Sequence, residues 1–266
     1  MTEEIRILHV DDEPSITDLT AQFLERENDR FSIDTATSAD EGLAVLADRQ
    51  PDCIVSDYDM PGMSGIEFLE TVRTRAPELP FILYTGKGSE EVASEAISAG
   101  VTDYIQKGSG TERYLLLANR IENAVAKYRS QRTAEQQQKR LELLFQQSPF
   151  GAIQWDDEFS VKRLNKRATE ILGYTEAELR GESWDAIVAS EDRGRVGDVV
   201  DSLLSNAGGE HIINDNVRAD GETVTCEWHN RVVTNSDGEV VSIFSKFRDI
   251  TNEQRHETDL KRYKSI

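Results

Sequence analysis

The 266-residue chain has two cysteines, Cys53 and Cys226, far apart in apolar, strand-like runs. That excludes a disulfide framework and predicts buried free thiols in a reducing compartment. No apolar run approaches the roughly 20 residues of a membrane-spanning helix. The N-terminus, MTEEIRILHV, lacks the basic start and apolar core of a signal peptide. A soluble, cytoplasmic chain is expected. Cations are also short, with 30 Lys plus Arg against 50 Asp plus Glu, a net charge of −20. Neutralising phosphates needs clustered cations, so neither direct nucleic-acid binding nor docking on an anionic membrane is expected. Internal repeats and low-complexity segments are absent as well.

The acids that are present fall in blocks. Residues 1–125 carry a net −15, residues 126–140 a net +4 and residues 141–252 a net −10. The length suits two small domains, and the basic stretch falls between two acidic blocks. The expected division is 1–126, a helical linker 127–140, 141–252, and the start of a further helix at 253–266. Most of this acidity reads as surface solvation. With 21 Arg against 9 Lys, the composition resembles that of halophilic proteins from a salty cytoplasm.

Residues 1–126 alternate strand and helix signals. Short apolar runs at Ile5–Val10, Phe31–Ala36, Cys53–Ser56, Phe81–Tyr84 and Asp103–Gln106 read as buried parallel strands. Ser38 with Glu41 and Ser64 with Glu67 have the spacing of capping boxes. Five β-α units in a row imply an open parallel sheet covered on both faces. The fifth helix starts near Thr111 and meets neither Gly nor Pro before Pro149. It reads as one long or broken helix leading into the second domain.

The second domain is α+β. Strand-like Ala152–Trp155 and Ser160–Leu164 precede small helical pieces at 165–205, with a capping box at Thr175 and Glu178. Three alternating strands at 210–219, 222–234 and 239–249 follow, divided by turns at Asp220–Gly221 and Asp237–Gly238. Thr251 and Gln254 open a new helix.

Ligands of an open parallel sheet bind beyond the carboxyl ends of its strands. Asp11, Asp12 and Glu13 follow the first strand, Asp57 and Asp59 the third, Thr85 the fourth and Lys107 the fifth. Any one alone is an ordinary turn residue. Together they bring carboxylates, a hydroxyl and a lysine to one edge. Packed carboxylates must be neutralised, and Mg²⁺ takes oxygen ligands while keeping water or phosphate oxygens. A carboxylate beside such a metal can attack a phosphoryl group, whose oxygens the lysine and hydroxyl would hold.

On LHVDDEP, IVSDYDMPGMSG, ILYTGKG and DYIQKG, residues 1–126 resemble a response-regulator receiver domain. The resemblance implies a flavodoxin-like five-stranded parallel sheet of order 2-1-3-4-5. It implies Asp57 as phosphoacceptor, with Mg²⁺ held by Asp11, Asp12, Asp57 and the backbone carbonyl of Asp59. Thr85 and Lys107 would hold the phosphoryl group, and Tyr104 would be the aromatic switch that follows Thr85. One departure stands out: the family usually joins this lysine to proline by a cis peptide, and here Gly108 follows. A cis bond before a non-proline costs about 2.5–4 kcal/mol.

Residues 141–252 resemble a PAS domain on LFQQSPFGAIQWD, LNKRATEILGYTEAELRGES and VVSIFSKFRDIT. That implies a five-stranded antiparallel sheet with small helices around a pocket, and a module that senses or dimerises. Handles for a cofactor are missing. Cys226 lies in a strand, His211 and His229 occupy strand positions of solvated or packed histidines, and Trp155 and Trp228 suit a core. No PAS cofactor is expected. His256, followed by Glu257, only faintly matches a phospho-accepting histidine.

The resulting expectation is a phosphorelay protein rather than an enzyme. A sensor histidine kinase or phosphotransfer protein would phosphorylate Asp57 with Mg²⁺, switching a PAS module in a homodimer formed through PAS domain and helices. Alternatives are the front part of a hybrid sensor kinase, an Mg²⁺-dependent phosphatase built on Asp57-Tyr58-Asp59, and an interaction scaffold.

Overall fold

The computed structural model describes residues 3–86, 90–108, 110–205, 209–237 and 240–256. The turn at Asp237–Gly238 and most of the segment 253–266 therefore lie outside the described residues. The chain forms two compact units, 1–136 and 137–266.

The first unit is a parallel sheet of β1 (Ile5–Val10), β2 (Phe31–Ala36), β3 (Cys53–Ser56), β4 (Phe81–Thr85) and β5 (Asp103–Gln106), in the order β2-β1-β3-β4-β5. The strands are short, and β1, β3 and β4 are mostly buried, as apolar runs covered on both faces must be, while β2 and β5 are partly exposed. The helices α1 (Pro14–Glu27), α2 (Ala39–Asp48), α3 (Gly65–Arg75), α4 (Glu90–Ser98) and α5 (Glu112–Gln146) alternate with them. Two cores result. Leu8, Ile54, Leu83 and Phe81 pack with Phe68 and Leu69 of α3, while Ile7, Val55 and Ile82 pack with Leu117, Ile121 and Val125 of α5.

The capping boxes are realised in part. Ser64 and Glu67 form a reciprocal box at α3. At α2, Ser38 accepts the Glu41 N–H, but the Glu41 carboxylate turns one residue further back to the N–H and hydroxyl of Thr37. Three hydrogen bonds still satisfy the helix entry, by a different route.

The fifth helix is continuous over 35 residues. Its first half is anchored in the first unit, where Arg129 donates to Asp52 and to the Glu4 carbonyl. Residues 130–140 are all exposed, matching their polar sequence, and Leu141, Leu143 and Leu144 that follow are exposed too. The helix joins the two units.

The second unit is an antiparallel sheet of β6 (Gly151–Trp155), β7 (Val161–Leu164), β8 (Gly209–Val217), β9 (Thr223–Thr234) and β10 (Val240–Asp249), in the order β7-β6-β10-β9-β8. Helices α6 (Lys166–Leu172), α7 (Glu176–Leu179) and α8 (Arg193–Leu204) cover one face, with a 3-10 turn at Trp184–Ala186. Alternation along β9 sends Val224, Cys226 and Trp228 into this core and Glu227 and His229 outward. Asn165 organises the entry to α6. Its carbonyl accepts from Ala152 and Ala168, and its amide donates to the carbonyls of Phe145 and Phe150. Gly173, at φ +79°, closes α6 in the left-handed region that favours glycine. The Thr175–Glu178 box is complete.

Residues 251–256 are helical. Thr251 is not a cap there. Its hydroxyl accepts the Thr225 N–H of β9, and Asp249 accepts the Thr251 N–H. Both cysteines are buried free thiols, and burial pushes Cys226 up to about 12.

Candidate functional site

The first site is the carboxyl edge of the parallel sheet. Strands β1 and β3 are neighbours, and the Asp57 N–H donates to the Val10 carbonyl at 2.8 Å. Asp11 and Asp57 thus leave adjacent strands side by side. The Lys107 N–H donates to the Thr85 carbonyl at 2.7 Å, which carries the β4–β5 ladder one residue further. That contact aims Lys107 back over the edge. The Lys107–Gly108 peptide is trans, and the lysine reaches the site by this path.

Lys107 Nζ lies 2.6 Å from Asp11 Oδ2 and 2.6 Å from Asp57 Oδ1. The other oxygen of each carboxylate accepts a backbone N–H, from Glu13 at 3.0 Å and from Asp59 at 2.9 Å. Asp11 is 1% exposed and Asp57 7%. Burial disfavours the Lys107 ammonium, but its hydrogen bonds to the two carboxylates outweigh that cost and raise its pKa.

Thr85 is buried at the end of β4, half-buried Asp12 and exposed Asp59 line the same cleft, and Ile16 covers one side. The cleft sets five acids, Asp11, Asp12, Glu13, Asp57 and Asp59, against one lysine. Its donors are oxygens, which suit a hard divalent cation, and one ammonium cannot balance that charge. Asp11, Asp12, Asp57 and the Asp59 carbonyl fit Mg²⁺ on this donor chemistry. Tyr104 is half-buried on β5 and packs against the core beside α3.

Three supporting residues escaped the sequence reading. His9 is fully buried two residues before Asp11, against the backbone of Thr17. Burial lowers its pKa to about 4, against the pull of Asp11. Tyr84 lies beneath Lys107, with Nζ 5.7 Å from the ring centroid. Gly65 starts α3 so close to the Asp57 loop that a Cβ there would stand 2.1 Å from the Asp57 carbonyl oxygen. Only the glycine had a sequence signal, as the last residue of MPGMSG.

The second candidate is the interior of the antiparallel unit. Trp155, Phe159, Trp184 and Trp228 line a cavity of about 30 Å³, far below the ~300 Å³ at which small-molecule pockets begin. Its polar groups are already engaged. Trp155 Nε1 donates to Ser245 at 2.7 Å, Trp228 Nε1 to Asn216 at 3.0 Å, and the Asn216 amide to the Ile187 carbonyl at 2.9 Å. Trp155 and Trp228 are core residues.

Residues 7–119 match the response regulator receiver domain, and residues 145–255 match the PAS fold. The chain carries a response regulator receiver domain followed by a PAS domain. It is similar to the nitrogen assimilation regulatory protein NtrX of Azorhizobium caulinodans, 38% identical over 116 residues. It is also similar to the transcriptional regulatory protein ResD of Bacillus subtilis, 41% identical over 106 residues. These matches cover 43% and 40% of this chain, and 25% and 43% of those proteins, so the chain spans under half the length of either. The PAS domain of an HTR-like protein from Haloarcula marismortui is 27% identical, covering 46% of this chain and 98% of that one, with a TM-score of 0.39. Among the described residues, no helix is long and apolar enough to cross a membrane.

Proposed function

We propose that this protein is a phosphorelay component whose Asp57 accepts a phosphoryl group from a sensor histidine kinase or phosphotransfer protein. The observation that carries this is Lys107 Nζ at 2.6 Å from both Asp11 and Asp57 within an open, acid-lined cleft. Mg²⁺, when bound, supplies the positive charge that carboxylates and phosphoryl oxygens share. Asp11, Asp12, Asp57 and the Asp59 carbonyl would hold it.

An Asp57 carboxylate oxygen forms the O–P bond as the donor's P–N bond breaks, and the donor imidazole leaves. Asp57 is held for this by the Asp59 N–H and by its place at the end of a buried strand. Lys107 then pairs with the new phosphoryl oxygens, and the Thr85 hydroxyl turns to them. The added charge of nearly −2 at pH 7 is what pulls both residues inward. Tyr104, already half-buried, takes the space that Thr85 vacates and reshapes the face formed by the last two β-α units.

This is chemistry of the chain on itself, not turnover of an external substrate. Output passes through α5 to the PAS unit, acting as a sensing or dimerising module in a cytoplasmic homodimer. The exposed Leu141 and Leu144 of α5 support that pairing. Incubation with Mg²⁺ and a small acyl phosphate should label the full chain and leave Asp57→Asn unlabelled. Equal labelling of both overturns the reading.

A further inference from the structure

The outer face of the PAS sheet carries a cluster that the phosphorelay does not use. His211 on β8 stands directly opposite His229 on β9, and Glu227 lies two residues before His229 on the same face. The imidazole rings are 4.7 Å apart, His211 Nε2 is 3.1 Å from Glu227 Oε1, and one ligand atom from each residue lies within 4.8 Å of the others. Both histidines are exposed.

We propose that His211, Glu227 and His229 bind a borderline transition-metal ion, with Zn²⁺ the fitting case. Two imidazoles and a carboxylate are a three-ligand zinc set, leaving a fourth position to water. Ligand atoms about 2.0–2.1 Å from a tetrahedral ion are roughly 3.3 Å apart. The His211–Glu227 edge is already near that spacing, and a turn of the exposed His229 ring closes the third vertex.

The surroundings orient the carboxylate. Arg248 Nε holds Glu227 Oε2 at 2.6 Å, leaving Oε1 toward His211. This is how an outer-shell partner prepares a ligand. Lys246, opposite His229 on β10, instead places its ammonium 5.6 Å from the Phe150 ring centroid. Arg248 also approaches Glu253, at 3.6 Å, in the helical segment that follows β10. Metal occupancy therefore draws on the acid that anchors Arg248 where the chain leaves the sheet.

The test titrates the full chain with Co²⁺ and then Zn²⁺, in millimolar Mg²⁺ to saturate the receiver cleft. One equivalent of Co²⁺ should give the visible absorption of a four- or five-coordinate site, and Zn²⁺ should remove it. His211→Ala and His229→Ala should each weaken binding more than the roughly 10–100-fold that outer-shell partners command. Glu227→Gln should weaken it about tenfold or more, while His256→Ala leaves it unchanged. These side chains lie on the outer face, and unchanged urea midpoints will show that the variants fold. Wild-type affinity in both histidine variants overturns the proposal. So does a wild type with no Co²⁺ spectrum that survives Mg²⁺.

Discussion

In the receiver unit two buried carboxylates at the sheet's end, Asp11 and Asp57, are bridged by Lys107 and line a cleft. In the PAS unit the buried polar side chains are neutral and hydrogen-bonded within the unit: Asn165, Asn214, Asn216, Asn230, Ser242 and Ser245. Each arrangement solves the same problem, since polar groups removed from water need partners. The solutions differ in what they leave free. Amides and hydroxyls bonded within a core specify one packing. Acids that share one lysine hold excess charge, which a cation or phosphoryl group can reorganise. The receiver edge thus holds charge that can be reorganised, while the polar groups of the PAS interior are bonded within the fold.

The sharpest way to break this contrast is at Asp57, where Asp57→Asn should remove all phosphoryl label with the fold intact. The corresponding blow to the PAS unit is Asn165→Ala, which cancels four hydrogen bonds at a fully buried position. It should cost about 2–4 kcal/mol, read as a lower urea midpoint for the PAS transition.

A pH series compared between the wild type and a His9 variant probes the receiver. His9 is neutral when folded, with its pKa lowered to about 4 from 6.5. Below pH 6.5 the unfolded chain takes up a proton that the native state refuses, so stability falls as pH drops toward 4 and then levels. The loss is about 3 kcal/mol over that window, and His9→Leu should flatten the difference curve by that amount. Mg²⁺ at a hundredfold excess over its Kd should add about 2.7 kcal/mol to the receiver transition and none to the PAS transition, with Asp57→Asn abolishing the gain. The smallest effect is expected for Trp228→Phe. It removes the donor to Asn216, which keeps its bond to the Ile187 carbonyl, and should cost about 1 kcal/mol.

The contrast also explains what could be read in the sequence. Four of the five receiver strands have the bounds that the apolar runs predict; in β1 and β3 this follows from burial on both faces, which keeps a strand apolar along its length, while β2 and β5 are only partly buried. β4 extends one residue further, to include Thr85 itself. Site residues at strand ends were legible because a parallel sheet fixes which end binds. Side-chain partners were not legible. Glu41 chose Thr37 over Ser38, and the Thr251 hydroxyl chose a strand over its own helix. His9, Tyr84 and the PAS asparagines were invisible for a related reason. Their roles come from which strand lies beside them, and neither periodicity nor composition carries that.

The most direct test of the edge as a reactive site is to map the label. The wild-type chain is treated with Mg²⁺ and an acyl phosphate, digested, and analysed by mass spectrometry for the phosphorylated peptide. The account predicts one phosphoryl group, on the peptide containing Asp57, lost when Mg²⁺ is chelated beforehand. Label on another peptide, His256 included, or label indifferent to Mg²⁺, would contradict it.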